Sequence, residues 1–408
     1  MAEPQPTPPS VVCLASYFKG GDFIRECKRQ GCHVVLITKE KMLNEDWPRD
    51  SLDDLIALPN DAGIDLFIHL AAHLARDRKP DHVVALEEFD VVTAALIREH
   101  LNVPGMNSAT ARTFRDKALM ARAARQAGIN VPEFVSLINR NEIGCFMETV
   151  SPPWVIKPRS DVSAIGVRKV HEADEVWRAI QELDTRERLR ERSPHYLLAR
   201  FVAGEVFHVD SVVGNGRILF AGANQYGRPP MDVAHQGGAY ISSTIARDSD
   251  DEKELLSANR KLIMALGLEK GATHAEFIKS SADGHFHFLE IAARVGGAYI
   301  AEVLEAATGI NLWREWAKLE LSQNKIARKI RPERKCHAGI ILSLARQEYA
   351  DTSAYTDEEI VYRVKKRHHA GLIVSSPNLD RVKELLNQYA GRFAEDFVAI
   401  VPPLERAE

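Results

Sequence analysis

Apolar and polar positions divide the chain into short runs. Residues 11–16 (VVCLAS) are continuously apolar and stop at Lys19-Gly20-Gly21, and residues 23–30 follow with helical spacing up to Gly31. A second run, 33–38 (HVVLIT), comes next. A third, 82–86 (HVVAL), leads into a helical stretch over 91–100 that ends before Val103-Pro104-Gly105. Strand–helix–strand units at this spacing predict a parallel sheet covered on both faces. From Asn107 the texture changes. Residues 111–128 read as one helix rich in Ala, Arg and Lys, stopped by Gly128. Residues 154–157 (WVIK) read as a short buried strand, 159–166 as a polar segment of small residues, 167–170 as a strand and 173–183 as a helix. Two β-rich runs, 196–202 and 206–213, precede Asn215-Gly216, a hairpin signal. Residues 224–243 (NQYGRPPMDVAHQGGAYISS) are polar and rich in Gly and Pro. They read as a long structured loop that shapes a pocket. A helix over 252–266 ends at Gly267, and strands over 275–279 and 286–291 are joined through Asp283-Gly284. Helices over 301–308 and 312–321, a polar link over 329–335 and strands over 338–344 and 371–374 complete the chain.

Composition narrows the class. Hydrophobic residues make up 45% and charged residues 27% of 408, which are globular values. The net charge of −4 supplies no overall positive field for nucleic acid or an acidic membrane. The most apolar stretches, 66–75 and 91–97, are too short to span a bilayer. The Pro-rich start, 1–10, lacks a signal-peptide layout and is expected to be a disordered tail on a cytoplasmic protein. Cys13, Cys27, Cys32, Cys145 and Cys336 form no C-x-x-C pair, so buried reduced thiols are expected. Gly20-Gly21 is not part of a G-x-G-x-x-G fingerprint, and residues 365–369 (KKRHH) read as a solvated face.

The chemistry lies in a series of charged positions. Lys117 sits early in the long helix, and Lys157 ends an apolar strand, where an unpaired ammonium is costly. Two such lysines can bracket a polyphosphate, and the loop 160–166 between strands can lay backbone N–H groups over phosphate oxygens. Glu276 and Glu290 fall on the two strands of one hairpin. On a shared face they would stand ~5 Å apart and repel unless a cation lay between them. Mg²⁺ suits carboxylate and phosphate oxygens. Arg294, four residues beyond Glu290, adds a positive fork for a carboxylate or a transferring phosphoryl group. His274 is expected to pack or hydrogen-bond beside the metal site, and Glu87 and Glu88 to meet a substrate amine.

The stretches LEEFDVV (86–92), NVPGMNSATARTFRDKALMARAARQAGINVPEF (102–134), WVIKPRSDVSAIGV (154–167), LLARFVAGEVFHVD (197–210) and THAEFIKSSADGHFHFLEIAARVGG (273–297) together resemble ATP-grasp enzymes, and more narrowly their carboxylate–amine ligases such as the L-amino-acid ligases. The resemblance covers about residues 11–325. It implies an α/β (α+β) chain built from a Rossmann-like N-terminal domain over 11–106, a lid subdomain over 107–198, a larger subdomain with the metal site over 199–330 and a C-terminal unit over 331–408. It further implies that Lys117 and Lys157 bind the phosphates of ATP beneath a mobile lid containing Ser160, Ser163 and Gly166. Ala199, Arg200, Phe201 and Val202 would contact adenine, mostly through backbone groups, and Glu205 the ribose. Glu276 and Glu290 would hold Mg²⁺ (Mn²⁺ as an alternative), and Arg294 would be catalytic at the substrate carboxylate.

The chain departs from the family twice. Glu290-Ile291-Ala292-Ala293-Arg294 stands where Glu-Ile-Asn-Pro-Arg is usual, so Ala292 offers no ligand. Ala199-Arg200 stands where the hinge usually carries acidic residues. The implied activity joins a small-molecule carboxylate to an amine through an acyl phosphate, with amino acids as substrates. It needs no nucleic acid or membrane, and it leaves a homodimer open. Carboxylation or formylation of a metabolite, or nucleotide binding without turnover, are the alternatives.

Overall fold

The computed structural model describes residues 8–161, 165–322 and 329–399, with 234–236 described by backbone alone. Three sheets follow one another along the chain. The first comprises β1 (Ser10–Ala15), β2 (His33–Lys39), β3 (Asp54–Leu58) and β4 (His82–Ala85), all parallel, in the order β3-β2-β1-β4. Every residue of β1 is buried, which is why its sequence is continuously apolar rather than alternating. Helices α1 (Gly21–Arg29), α2 (Ile64–Leu74) and α3 (Val91–Leu101) connect and cover it.

Next come α4 (Ser108–Thr113) and α5 (Lys117–Gln126). The single helix expected over 111–128 is thus two. The break falls where the Asp116 carboxylate accepts from the N–H groups of Ala118 and Leu119 and caps a new helix. The second sheet is antiparallel: β5 (Phe134–Ser136), β6 (Trp154–Pro158), β7 (Arg168–Val170) and β8 (Tyr196–Arg200), in the order β5-β8-β6-β7. With α6 (Arg140–Thr149) and α7 (Ala173–Asp184) it encloses its own core of Trp154, Ile156, Val176, Ile180, Leu183 and Leu198. Strand β8 belongs wholly to this lobe, so the chain leaves it at about Val202, slightly later than the expected break at 198/199.

The third sheet has eight strands: β9 (Gly204–Gly214), β10 (Arg217–Tyr226), β11 (Tyr240–Thr244), β12 (Lys270–Ser280), β13 (Phe286–Ala292), β14 (His337–Leu344), β15 (Ile360–Arg363) and β16 (His369–Ser376). Their order is β13-β12-β9-β10-β11-β14-β16-β15. The β9–β10 turn uses Asn215 and Gly216, both at positive φ (51° and 67°), the backbone that the Asn-Gly pair favours. The segment 224–243 is not a loop. It ends β10, forms the short helix α8 (Pro230–Gln236) and begins β11. Strands of the C-terminal segment extend this sheet, because β14 pairs with β11. Helix α9 (Asp250–Leu266) packs with α5 on a core of Met120, Ala124, Leu262, Ile263, Phe277 and Phe288. Helices α10 (Ile300–Thr308) and α11 (Leu312–Leu321) cover the opposite face, and α12 (Leu379–Asp396) lies over β14 and β16. Among the described residues, no helix is long and apolar enough to cross a membrane. Cys13, Cys27 and Cys32 are buried free thiols; Cys145, expected to be buried, is exposed, and Cys336 is half-buried.

Between the second and third sheets the chain crosses at residues 201–203. Gly204 then starts β9 so close to its neighbour that a Cβ would stand 1.9 Å from the Lys279 carbonyl oxygen. Gly204→Ala is therefore expected to lower stability by about 1–3 kcal/mol, as overpacking does. Chemical denaturation should show this as a lower midpoint with an unchanged slope.

Candidate active site

A cavity of about 650 Å³ opens between the second and third sheets. Residues expected from sequence to act together line it: Lys117, Lys157, Ala199, Arg200, Phe201, Val202, Glu276, Glu290 and Arg294. Glu205 does not. It is exposed at the start of β9, opposite Lys279 in the ladder. Ser160 and Gly166 border the cavity without lining it; the neighbouring Asp161, Ile165 and Val167 do line it. Ser163 lies outside the described residues.

Lys117 is the first residue of α5, so the cap that starts the helix also aims this side chain. The Asp116 carboxylate grips Arg159 (Nη2–Oδ2 2.5 Å), and the Lys117 backbone N–H donates to the Arg159 carbonyl at 2.8 Å. The ammonium donates to the Asp161 carbonyl at 2.6 Å and lies 2.9 Å from Glu290 Oε2. Lys157, on β6, is pushed down to about 8, first by burial and then by the neighbouring charge of Lys117, with Glu290 and Glu276 opposing the shift. At the other end the wall is apolar, built from Val155, Phe201, Ile278 and Leu289. Lys169 sits 3.8 Å over the Phe201 ring. The Arg200 guanidinium lies 3.5 Å from Glu133, and both side chains are about half exposed.

Glu276 and Glu290 are direct partners on the β12–β13 ladder, with a bulge immediately after Glu276. Period-two alternation places both on the cavity face. Burial alone would raise the Glu276 carboxyl, but His274 and Tyr226 hold it below the usual carboxylate range. Tyr226 Oη donates to Glu276 Oε1 at 2.7 Å, and His274 Nε2 lies 3.3 Å from the same oxygen. Behind them sits Asp210, fully buried, between two imidazoles. His274 Nδ1 is 2.8 Å from Oδ1 and His208 Nδ1 is 2.6 Å from Oδ2. Burial opposes charge on His274, yet Asp210 and Glu276 push it up to about 10. Burial likewise opposes the Asp210 anion, and the two imidazoles overcome it and hold its carboxyl well down.

Arg294 Nη2 donates to Glu88 Oε2 at 2.8 Å and Nη1 to the Val295 carbonyl at 2.9 Å. Its buried Nε finds no partner among the described residues. Arg115 takes the other Glu88 oxygen at 2.5 Å, and Lys19 pairs with Glu87 at 2.8 Å. Glu87 and Glu88, expected to face a substrate amine, are thus both engaged by protein cations. Lys19 itself lines the cavity, with its ammonium pushed down by burial and by Arg294.

Residues 150–302 match the family model of the ATP-grasp domain. Those residues carry an ATP-grasp domain. It is 24% identical over 235 residues, 57% of this chain and 56% of the relative, to an L-arginine-specific L-amino acid ligase of Bacillus subtilis. An alanine–anticapsin ligase of the same organism is 21% identical over 251 residues, 57% of this chain and 52% of that protein. The chain therefore spans about half the length of these curated relatives. Among solved structures, an L-amino acid ligase from Bacillus licheniformis superposes with a TM-score of 0.74 at 18% identity, covering 96% of this chain and 98% of the other. That likeness shows a shared fold.

Sequence reasoning did not find Lys19, Asp210, His208, Tyr226 or Tyr240 at this site. A signal for two of them exists: His208 and Asp210 alternate on β9 as His274 and Glu276 do on β12, and the ladder sets His274 against Asp210 and Glu276 against His208. The lowered Lys157 is open to a chemical test. At pH 8 about half of it is neutral, against roughly 0.4% of an ordinary lysine, so with reagent in the cavity it should be acylated ahead of ordinary lysines. Peptide mapping after brief treatment with acetic anhydride should find Lys157 among the first lysines modified, with its labelling levelling off towards pH 9 while that of ordinary lysines keeps rising.

Proposed function

We propose that the chain is an ATP-dependent ligase that joins a small carboxylate to an amine, with amino acids as the substrate class and an acyl phosphate between the two half-reactions. One observation carries this reading: Glu276 and Glu290, opposed across one rung, converge with Lys117, Lys157 and Arg294 on a single cavity whose far wall is apolar. The apolar end between Phe201, Val202 and Leu289 suits a nucleobase, with backbone groups of 199–202 in reach of its edge. Lys117 and Lys157 would hold the phosphates, and Asp161, Ile165 and Val167, which line the cavity, would cover them. The names of the relatives, amino-acid ligases in two instances, support the amino-acid class.

The donor set also suits a hard cation. Glu276 and Glu290 present carboxyl oxygens on facing rungs, and no thiol lines the cavity among the described residues. We assign them to Mg²⁺, with Mn²⁺ as a substitute. Glu276 and Glu290 would hold the ion, which would supply positive charge to offset that of the phosphates. The chain's own residues do the rest. Arg294, backed by Glu88, presents its fork to the carboxylate and the transferring phosphoryl group. A carboxylate oxygen attacks the γ-phosphorus and ADP leaves. The amine nitrogen then attacks the acyl carbon, the C–O bond to phosphate breaks, and the proton lost by the nitrogen goes to the departing phosphate. Walls closed around the acyl phosphate keep water from intercepting it.

ADP release against a panel of amino acids tests the reading. Turnover should require ATP, a divalent ion and at least one amino-acid pair, and should yield one amide per ADP. Glu290→Gln should melt like the parent and lose turnover. Arg294→Lys keeps the charge but loses the fork, and should cost ~10²–10³ in rate. Parent-like turnover in Glu290→Gln at saturating ATP and Mg²⁺ would sink the assignment.

A further inference from the structure

The cluster behind Glu276 has no role in the reading above, yet it is among the most buried polar groups of the chain. Asp210 and His208 are 0% exposed and His274 is 8% exposed. Their ligand atoms lie close enough together to hold a metal ion, but the contacts are hydrogen-bonding ones. Each Asp210 oxygen faces one imidazole Nδ1, at 2.8 Å to His274 and 2.6 Å to His208. The outer nitrogens are engaged as well. His208 Nε2 meets Ser242 Oγ at 2.8 Å, and His274 Nε2 lies 3.3 Å from both Tyr226 Oη and Glu276 Oε1. The chain of contacts runs across β11, β9, β10 and β12 and terminates on one oxygen of Glu276. Among the described residues, no side chain bonds Glu276 Oε2, so that oxygen is left to the cavity.

A second observation ties the cluster to Arg294. Gly296 lies against the Asp210–His274 bond, where a Cβ would stand 2.8 Å from Asp210 Oδ1 and 3.0 Å from His274 Nδ1. The loop that carries Arg294 therefore rests on the pair that orients Glu276.

We propose that Asp210 is a positioning residue: acting through His274, it fixes Glu276 so that one carboxylate oxygen is presented to the metal, with Gly296 keying the Arg294 loop to the same bond. Asp210 touches neither metal nor substrate in this arrangement. Its two acceptor oxygens can take both imidazole Nδ1–H groups, whereas an amide presents one acceptor and one donor, so one imidazole must change tautomer or lose its contact. Either change loosens the hold on His274, and on Glu276 with it. Outer-shell partners of this kind typically contribute ~10–100-fold in metal affinity. The proposal rests on the assignment of Glu276 to the metal, and the experiment separates the two.

The probe is Mn²⁺ binding to the full chain saturated with a non-hydrolysable ATP analogue, followed by electron paramagnetic resonance. Affinity for the metal-free analogue is measured by calorimetry in chelator. Glu276→Gln should weaken Mn²⁺ at least ten-fold; unchanged affinity there would remove the metal assignment and this proposal with it. With that control in hand, Asp210→Asn should weaken Mn²⁺ by ten-fold or more while metal-free analogue affinity stays at the parent value. A general structural role would lower both together, and that outcome, like unchanged Mn²⁺ affinity, overturns the proposal. Should Asp210→Asn fail to fold, Gly296→Ala answers the same question by pressing a methyl group onto the bond. Weakened Mn²⁺ with intact analogue affinity supports the proposal, and any other result refutes it.

Discussion

Two carboxylates on facing rungs of a ladder, turned into a partly closed cavity, are the constraint around which the rest is arranged. Glu276 and Glu290 would repel one another strongly at that separation in a low-dielectric setting. The chain meets this with cations from several directions. Lys117 arrives on a helix N-terminus, Lys157 on a strand of the other lobe, and His274 from two positions along the same strand. Each needs support of its own, which is why Asp116, Arg159 and Asp210 are where they are. The same logic repeats at Arg294, which is balanced by Glu88, which in turn takes Arg115. The cavity is an alternation of charges in which nearly every member is held by a neighbour outside it.

Much of this was legible. The β12–β13 pair follows from two short apolar runs about a turn, whereas the shared face of the carboxylates is only conditional in the sequence and is set by the register that pairs Glu276 with Glu290. Lys157 is anomalous on an apolar strand and is marked by that alone. Other features were not legible for identifiable reasons. The helix break at Asp116 was hidden because Ala and Arg on either side favour helix, and only the Arg159 contact from 43 residues away shows that a cap is wanted there. Residues 224–243 looked like a loop because Pro and Gly dominate their composition. Pro230 instead starts α8, where its missing N–H costs nothing. Glu205 shows the converse failure. A matching motif put it at the nucleotide, but as the second residue of β9 it points away from the cavity and towards Lys279.

The two lobes differ in how they are held. The second sheet has a private core and joins the third through 201–203, whereas the first and third sheets share one continuous apolar cluster with α5 and α9. Lys117 and Lys157 thus reach the cavity from elements with separate cores. Any relative movement of the lobes would change the spacing between the two ammonium groups, and with it the fit for a polyphosphate.

The pairing of β11 with β14 bears on how the protein is made. Tyr240, a wall of the cavity, is laddered to Leu342, about a hundred residues later. Closing so large a loop is paid for in chain entropy before any contact repays it. During synthesis from the N-terminus, the first parallel sheet and the α6–α7 lobe can settle early on contacts of short range. The cavity cannot: its wall waits for β14 to emerge, so a nascent chain ending near residue 330 would carry every charged group of the site and still lack the strand that sets Tyr240 in place.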